Sequence, residues 1–230
     1  MQKIIKNSLI SLGLILLYLL FSSIPLIILY LIGIDYRTWS RFIITLYQLG
    51  CNIILLLLIC FLYRKTIIED FPKYFNKNIF NNLEISVKYW ALGLTITIIS
   101  NLILFFITNG GSANNQETVE TLIKVAPIYM AFNVCIYAPL LEELIFRKSI
   151  RDITNNKWAY ILLSGIVFGS LHVITSIESI IDIFYIIPYS SLGIAFAACY
   201  YKTNNIFSTI TIHALHNTLS FILLIATGLV

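Results

Sequence analysis

Seven apolar stretches follow one another along the chain, at residues 8–34, 40–63, 86–108, 122–147, 158–177, 180–200 and 206–228. A helix needs about 20 mostly apolar residues to cross the hydrocarbon core of a bilayer, so the pattern predicts a bundle of about seven transmembrane helices. Only a short stretch with Glu178 and Asp182 parts the fifth from the sixth, which widens the expectation to six to eight. Residues 66–88 mix charges with Phe71, Tyr74, Phe75 and Phe80, a composition suited to an amphipathic segment lying along a membrane surface. Residues 109–121 contain Gly and Asn and no basic residue, and read as a polar outside loop. Neither an internal repeat nor a low-complexity tail is visible, so residues 1–230 are expected to form one integral membrane domain.

Composition narrows the class. Of 230 residues, 59% are hydrophobic and 11% charged, with mean hydropathy +0.88. A soluble domain carries roughly a quarter charged residues, so an ordinary globular fold is excluded and an all-α polytopic membrane protein is expected. The net charge of +4 does not point to nucleic acid, because its distribution is one-sided. With a cytoplasmic N-terminus, Lys3, Lys6, the 64–88 segment, the 147–157 segment and Lys202 place twelve of the fifteen basic residues on one side, leaving Arg37, Arg41 and Lys124 on the other. That is the positive-inside asymmetry. The first stretch has a basic start but is too long for a signal-peptide core and lacks a small-residue cleavage site, so it reads as a membrane helix. Cys51, Cys60, Cys135 and Cys199 all lie in apolar segments without CxxC spacing and read as buried packing residues.

Against this background three polar constellations stand out, all after residue 140. Glu142 and Glu143 end an apolar run and are followed by Arg147. Residues four apart share a helix face, so Glu143 and Arg147 can pair, while Glu142, about 100° around the helix, is left without that partner. His172 lies deep in the fifth stretch, and His213, His216 and Asn217 fall on one face of the last. Each alone reads as readily as a packed polar group or a salt-bridged helix end. Together they comprise all three histidines of the chain, every one inside an apolar segment. At about 1.5 Å rise per residue, Glu142, His172, His213 and Asn217 converge near the middle of the bilayer. A polar cluster at that depth must line a protein-enclosed cavity, and intramembrane ionisable groups mark function.

Two chemistries suit these residues. A carboxylate beside a histidine can activate water as a general base, while a histidine and an asparagine on a third helix can donate to a developing oxyanion. Alternatively, Glu142, His172 and His213 make a three-ligand metal set with one open position. Other intramembrane protease signatures are missing: the sequence contains no HExxH and no GxGD, and Ser170 lacks a GxSG setting.

Glu142-Glu143-x-x-x-Arg147, Phe168-x-x-x-His172 and His213-x-x-x-Asn217, with Ala138-Pro139 ahead of them and Phe146 beside Arg147, resemble the three ordered motifs of the CAAX-prenyl-protease and bacteriocin-processing family. The resemblance covers residues 138–217, while residues 1–120 contribute only membrane helices. It implies an all-helical intramembrane glutamic endopeptidase, with Glu142 and His172 activating water, Glu143 and Arg147 organising their helix, and His213 with Asn217 forming the oxyanion hole. His216 stands at a variable position of the motif, and Lys148 stands where many members have a small residue. No cofactor is implied, and the metal set stays the competing chemistry. Residues 1–120 are then scaffold or gating helices and 121–230 the catalytic ones. The expected partners are a peptide or membrane-protein substrate and the lipid bilayer, and the expected location is a bacterial cytoplasmic membrane. The expected roles are pheromone or bacteriocin maturation or bacteriocin self-immunity. From other classes, a catalytically silent immunity or binding partner and a proton-coupled transporter are the competing readings.

Overall fold

The computed structural model describes residues 2–21, 23–77 and 79–228. Among these residues there are ten helices: α1 (Gln2–Leu20), α2 (Ile24–Leu31), α3 (Arg41–Leu62), α4 (Arg64–Lys77), α5 (Ile79–Ile107), α6 (Asn114–Val125), α7 (Pro127–Ser149), α8 (Lys157–Ile174), α9 (Ile186–Thr203) and α10 (Ile206–Ala226). A 3-10 turn, Ile180–Tyr185, leads directly into α9. Among the described residues no strand occurs, and six helices (α3, α5, α7, α8, α9 with its 3-10 lead, and α10) are long and apolar enough to span a membrane. The chain is an all-α polytopic membrane protein.

Three boundaries differ from the sequence expectation; the first is that α5 begins at Ile79, so that it takes in the last part of the 66–88 segment read as lying on the surface. The stretch 8–34 is not one helix: α1 and α2 meet at a 71° bend. Pro25 sits in the first turn of α2, where its missing N–H is tolerated, whereas inside a continuous helix it would remove a bond and clash with the preceding turn. The pair counts as a seventh span only if the bent halves are taken together. The loop 109–121 is helical from Asn114, and α6 ends at Val125, followed by Ala126 at φ −145 ψ 65. Pro127 keeps the residue before it out of the helical region, so the fourth span starts five residues later than the apolar run. Of the four cysteines, Cys199 is buried and the other three only half-buried.

Helix α9 lies between α5 and α8, and α10 packs across α5, α7 and α9. Small residues let these backbones approach. A Cβ on Gly165 would stand 2.6 Å from the Ile194 nitrogen, and one on Gly169 would stand 2.6 Å from that of Ser190. Backbone atoms cannot yield as a side-chain tip can, and small-xxx-small spacing is a common way for membrane helices to pack. Gly165→Ala is therefore expected to cost roughly 1–3 kcal/mol through overpacking, seen as a lowered melting temperature in detergent. A melting curve identical to the wild type would refute the close packing.

Helix α1 is docked antiparallel on α7 through two polar rungs. Ser11 Oγ donates to the Ser149 carbonyl (3.0 Å), and Tyr18 Oη donates to Glu142 (2.7 Å), with Leu14 buried between them. Seven residues, about two turns, separate the rungs on α1, so both fall on one face of that helix. On α4, Ile68, Phe71 and Phe75 are exposed while Asp70 and Tyr74 are buried. Asp70 Oδ2 accepts the Ile206 N–H (3.0 Å), and its carbonyl accepts from Asn205 Nδ2 (2.9 Å). A carboxylate at the positive end of α10 is well placed, and it ties this surface helix to the helix that carries His213.

Candidate active site

The site is built on α7. Its interior winds as two π-helical turns, Asn133–Tyr137 and Glu143–Ser149, with an α-helical turn Ala138–Glu142 between them. Such turns concentrate at functional sites, and here the first has a traceable consequence. Ala138 N–H bonds the Asn133 carbonyl, five residues back. In that register the Val134 carbonyl would be served by residue 139, which is proline and has no N–H. Asn217 Nδ2, from α10, donates to Val134 O at 2.9 Å and fills the vacancy. The expected oxyanion residue thus has one amide hydrogen engaged in joining α10 to α7.

The adjacent glutamates have different environments. Glu143, fully buried, accepts from Arg147 Nε at 3.0 Å on one oxygen and from His213 Nδ1 at 2.9 Å on the other. Arg147 is also fully buried; its Nη1 donates to Ser164 Oγ (3.1 Å), which in turn donates to the Phe146 carbonyl (2.6 Å). The guanidinium lies 4.7 Å from the Phe168 ring centre, a cation–π distance. The i,i+4 pair expected from spacing is present. Glu142, 4% exposed, has no cation in hydrogen-bond contact. It holds the Tyr18 hydroxyl at 2.7 Å, and its other oxygen lies 3.8 Å from His213 Nε2. Because an ionised, arginine-bound carboxylate can only accept, His213 Nδ1 carries a proton and Nε2 is the nitrogen that faces Glu142.

His172 sits on α8, half-buried, with Nδ1 donating to the Phe168 carbonyl at 2.8 Å. Its ring stacks on Tyr189 (centres 5.0 Å apart, 24° between planes) and leans on Phe168 (4.3 Å). Phe168 also meets His213 edge-on at 6.0 Å, so one aromatic ring parts the two histidines. No hydrogen bond or ion-pair contact joins His172 to Glu142 among the described residues. Likewise no three His, Cys, Asp or Glu side chains converge as a metal would require among those residues; Glu142 and His213 approach each other without His172. His216 accepts from Trp90 Nε1 at 3.3 Å and stands outside the cluster, in a hydrogen-bonding role.

Sequence reasoning missed Tyr18, which belongs to the half of the chain read as scaffold or gate. A signal existed: Ser11 and Tyr18 are polar-tipped positions seven apart in a run of Leu and Ile. A buried phenol needs a partner, and α7 supplies it.

The fold and this cluster define a multi-pass membrane protein whose polar residues come together inside the bundle. Residues 124–219 match the model of the family described as Type II CAAX prenyl endopeptidase Rce1-like. The match covers the stretch that carries the three motifs, and over that stretch the chain is similar to this family. The chain is 26% identical over 136 residues to a Bacillus subtilis protein named "Putative membrane peptidase YdiL", covering 58% of this chain and 46% of that protein. It is 24% identical over 136 residues to UPF0177 protein YvdC of Lactococcus lactis, covering 58% and 50%. The chain thus spans about half the length of these relatives. No solved structure matches it significantly.

Proposed function

We propose that the chain is an intramembrane endopeptidase in which Glu142 is the general base toward water. The observation that carries this reading is the contrast between neighbours. Glu143 is saturated by Arg147 and His213, whereas Glu142 is held by one phenol and has an oxygen turned toward an imidazole 3.8 Å away. That gap is too long for a direct hydrogen bond and leaves Glu142 free to accept a proton.

In the proposed reaction, Glu142 takes a proton from water as the water oxygen bonds to the scissile carbonyl carbon. His172 positions the water through Nε2, since its Nδ1–H is fixed on the Phe168 carbonyl. The oxyanion is met by the second amide hydrogen of Asn217 and by the His213 ring on its Nε2 side, which donates there when that nitrogen carries a proton. As the carbon–nitrogen bond breaks, Glu142 returns the proton to the leaving amine. The N-terminus is cytoplasmic in this reading, as the one-sided basic residues favour. Substrates are peptides or membrane-associated protein tails, in bacteriocin or pheromone maturation or in self-immunity to a bacteriocin.

Tyr18→Phe tests how far α1 takes part. A hydrogen bond to a charged group contributes about 1.5–3 kcal/mol, so kcat is expected to fall at least about tenfold with KM little changed. The measurement is steady-state cleavage of a quenched-fluorescence peptide in detergent. Unchanged kcat would remove Tyr18 from the site and leave it a packing residue.

A further inference from the structure

Away from the polar cluster, a groove of about 560 Å³ runs between α5, α8 and α9 on the outer face of the bundle. Its floor is made of small residues: Gly93 on α5 meets Ser191 and Ala195 on α9, and Ala198 follows one turn further on. One mouth is different in kind. Lys157, at the start of α8, and Lys202, near the end of α9, both line it, together with Trp158 and Tyr201. Lys157 Nζ lies 4.7 Å from the Trp158 ring and 5.7 Å from that of Tyr201. Among the described residues no acidic side chain lines the groove. Among the described residues neither lysine has an ion-pair partner, and Glu84 on the adjoining turns of α5 is already held by Lys88 at 2.6 Å.

We infer that this groove binds one anionic glycerophospholipid of the adjacent leaflet, its phosphate between Lys157 and Lys202 and an acyl chain along Gly93, Ala195 and Ala198. Three features converge on that occupant. The groove opens on the surface that faces hydrocarbon, where Leu92, Ile96, Leu162 and Leu163 are exposed. Its two unpaired cations stand at the end where α8 begins and α9 ends, beside a tryptophan and a tyrosine of the kind that mark headgroup depth. Basic pockets between transmembrane helices recognise anionic headgroups, and a zwitterionic lipid would bring no net charge to two lysines. The bound lipid would brace α5, α8 and α9 together, the layer that carries Phe168 and His172. The inference concerns binding and stands apart from the peptidase reading.

The test is thermal unfolding of the full chain in a neutral maltoside detergent. Dioleoylphosphatidylglycerol, dioleoylphosphatidylcholine and inorganic phosphate are added separately. A ligand that binds only the folded state raises the midpoint in a saturable way. Phosphatidylglycerol is expected to do so, with half-saturation at least tenfold below that of phosphatidylcholine. The double variant Lys157→Gln/Lys202→Gln is expected to erase that preference. Ala198→Leu, which fills the floor and keeps both lysines, is expected to weaken both lipids; it decides the matter alone if the double variant does not fold. Equal response to the two lipids, or a wild-type response from the variant that folds, would overturn the inference. A shift reproduced by inorganic phosphate would also overturn it, by showing an anion site without a lipid chain.

Discussion

Glu142→Gln is expected to lower kcat for peptide cleavage by about 10²–10⁴-fold and to leave the melting temperature close to that of the wild type. Glutamine has the same shape, and its amide oxygen can still accept the Tyr18 hydroxyl that now bonds Glu142 at 2.7 Å. What it cannot do is take a proton from water. The carboxylate is 4% exposed, and its nearest basic nitrogen, His213 Nε2, stands 3.8 Å away, beyond hydrogen-bond reach. The same ring is held by Glu143 through Nδ1, so His213 keeps a carboxylate partner when Glu142 is neutralised. Glu143→Gln provides the contrast, since there the fully buried Arg147 would lose its counter-charge. The assay compares purified wild type, Glu142→Gln and His172→Ala on a quenched-fluorescence peptide library, with and without a strong chelator. Cleavage lost in both variants and indifferent to chelation supports glutamate-activated water; loss on chelation moves the chemistry to a metal. Full activity of Glu142→Gln would end the general-base assignment.

How much of this could be read from the chain differs from element to element, and the differences have physical causes. The Glu143–Arg147 pair was legible because it is local: helical spacing alone places the two groups together. The approach of α7 and α10 was legible because charged groups at bilayer depth have few places to go, and counting residues from the helix ends put Glu142 and His213 at similar levels. Tyr18 was not, because an apolar run says nothing about which neighbour its one hydroxyl will meet. The bend between α1 and α2 was hidden by hydropathy, which counts Pro25 as one more residue of an apolar stretch although it breaks the hydrogen-bond ladder. The role of Asn217 toward Val134 required knowing that α7 changes register ahead of Pro139, and no pattern of polar and apolar positions encodes a register. Helix α6 was masked for the opposite reason: a polar composition read as loop carries enough helix-forming residues, from Gln116 to Lys124, to wind once Asn114 has bonded the Ser176 carbonyl at 2.8 Å.

Arg147→Met is expected to be the most destabilising single change in the site, by ~3–5 kcal/mol, because it leaves a buried carboxylate without its partner. Both side chains are fully buried and 3.0 Å apart, so water cannot replace what is lost. Arg147→Lys would not restore it. The planar guanidinium reaches Glu143 with one nitrogen and Ser164 with another while lying against Phe168, and an ammonium offers neither the fork nor the flat face. The informative variant is the double one, Glu143→Leu/Arg147→Met. Apolar replacement of a buried ion pair is often neutral or stabilising, so its melting temperature is expected to recover toward the wild type. Activity is not expected to return, because His213 Nδ1 would lose the acceptor that now fixes the ring at 2.9 Å and presents Nε2 to Glu142. Thermal unfolding and peptide cleavage, measured on the same preparations, therefore separate the two roles of Glu143. Arg147→Met melting like the wild type would show that the pair is not holding the bundle. Cleavage by a stable double variant would show that the ring needs no orienting carboxylate, and would leave Glu142 to act without His213.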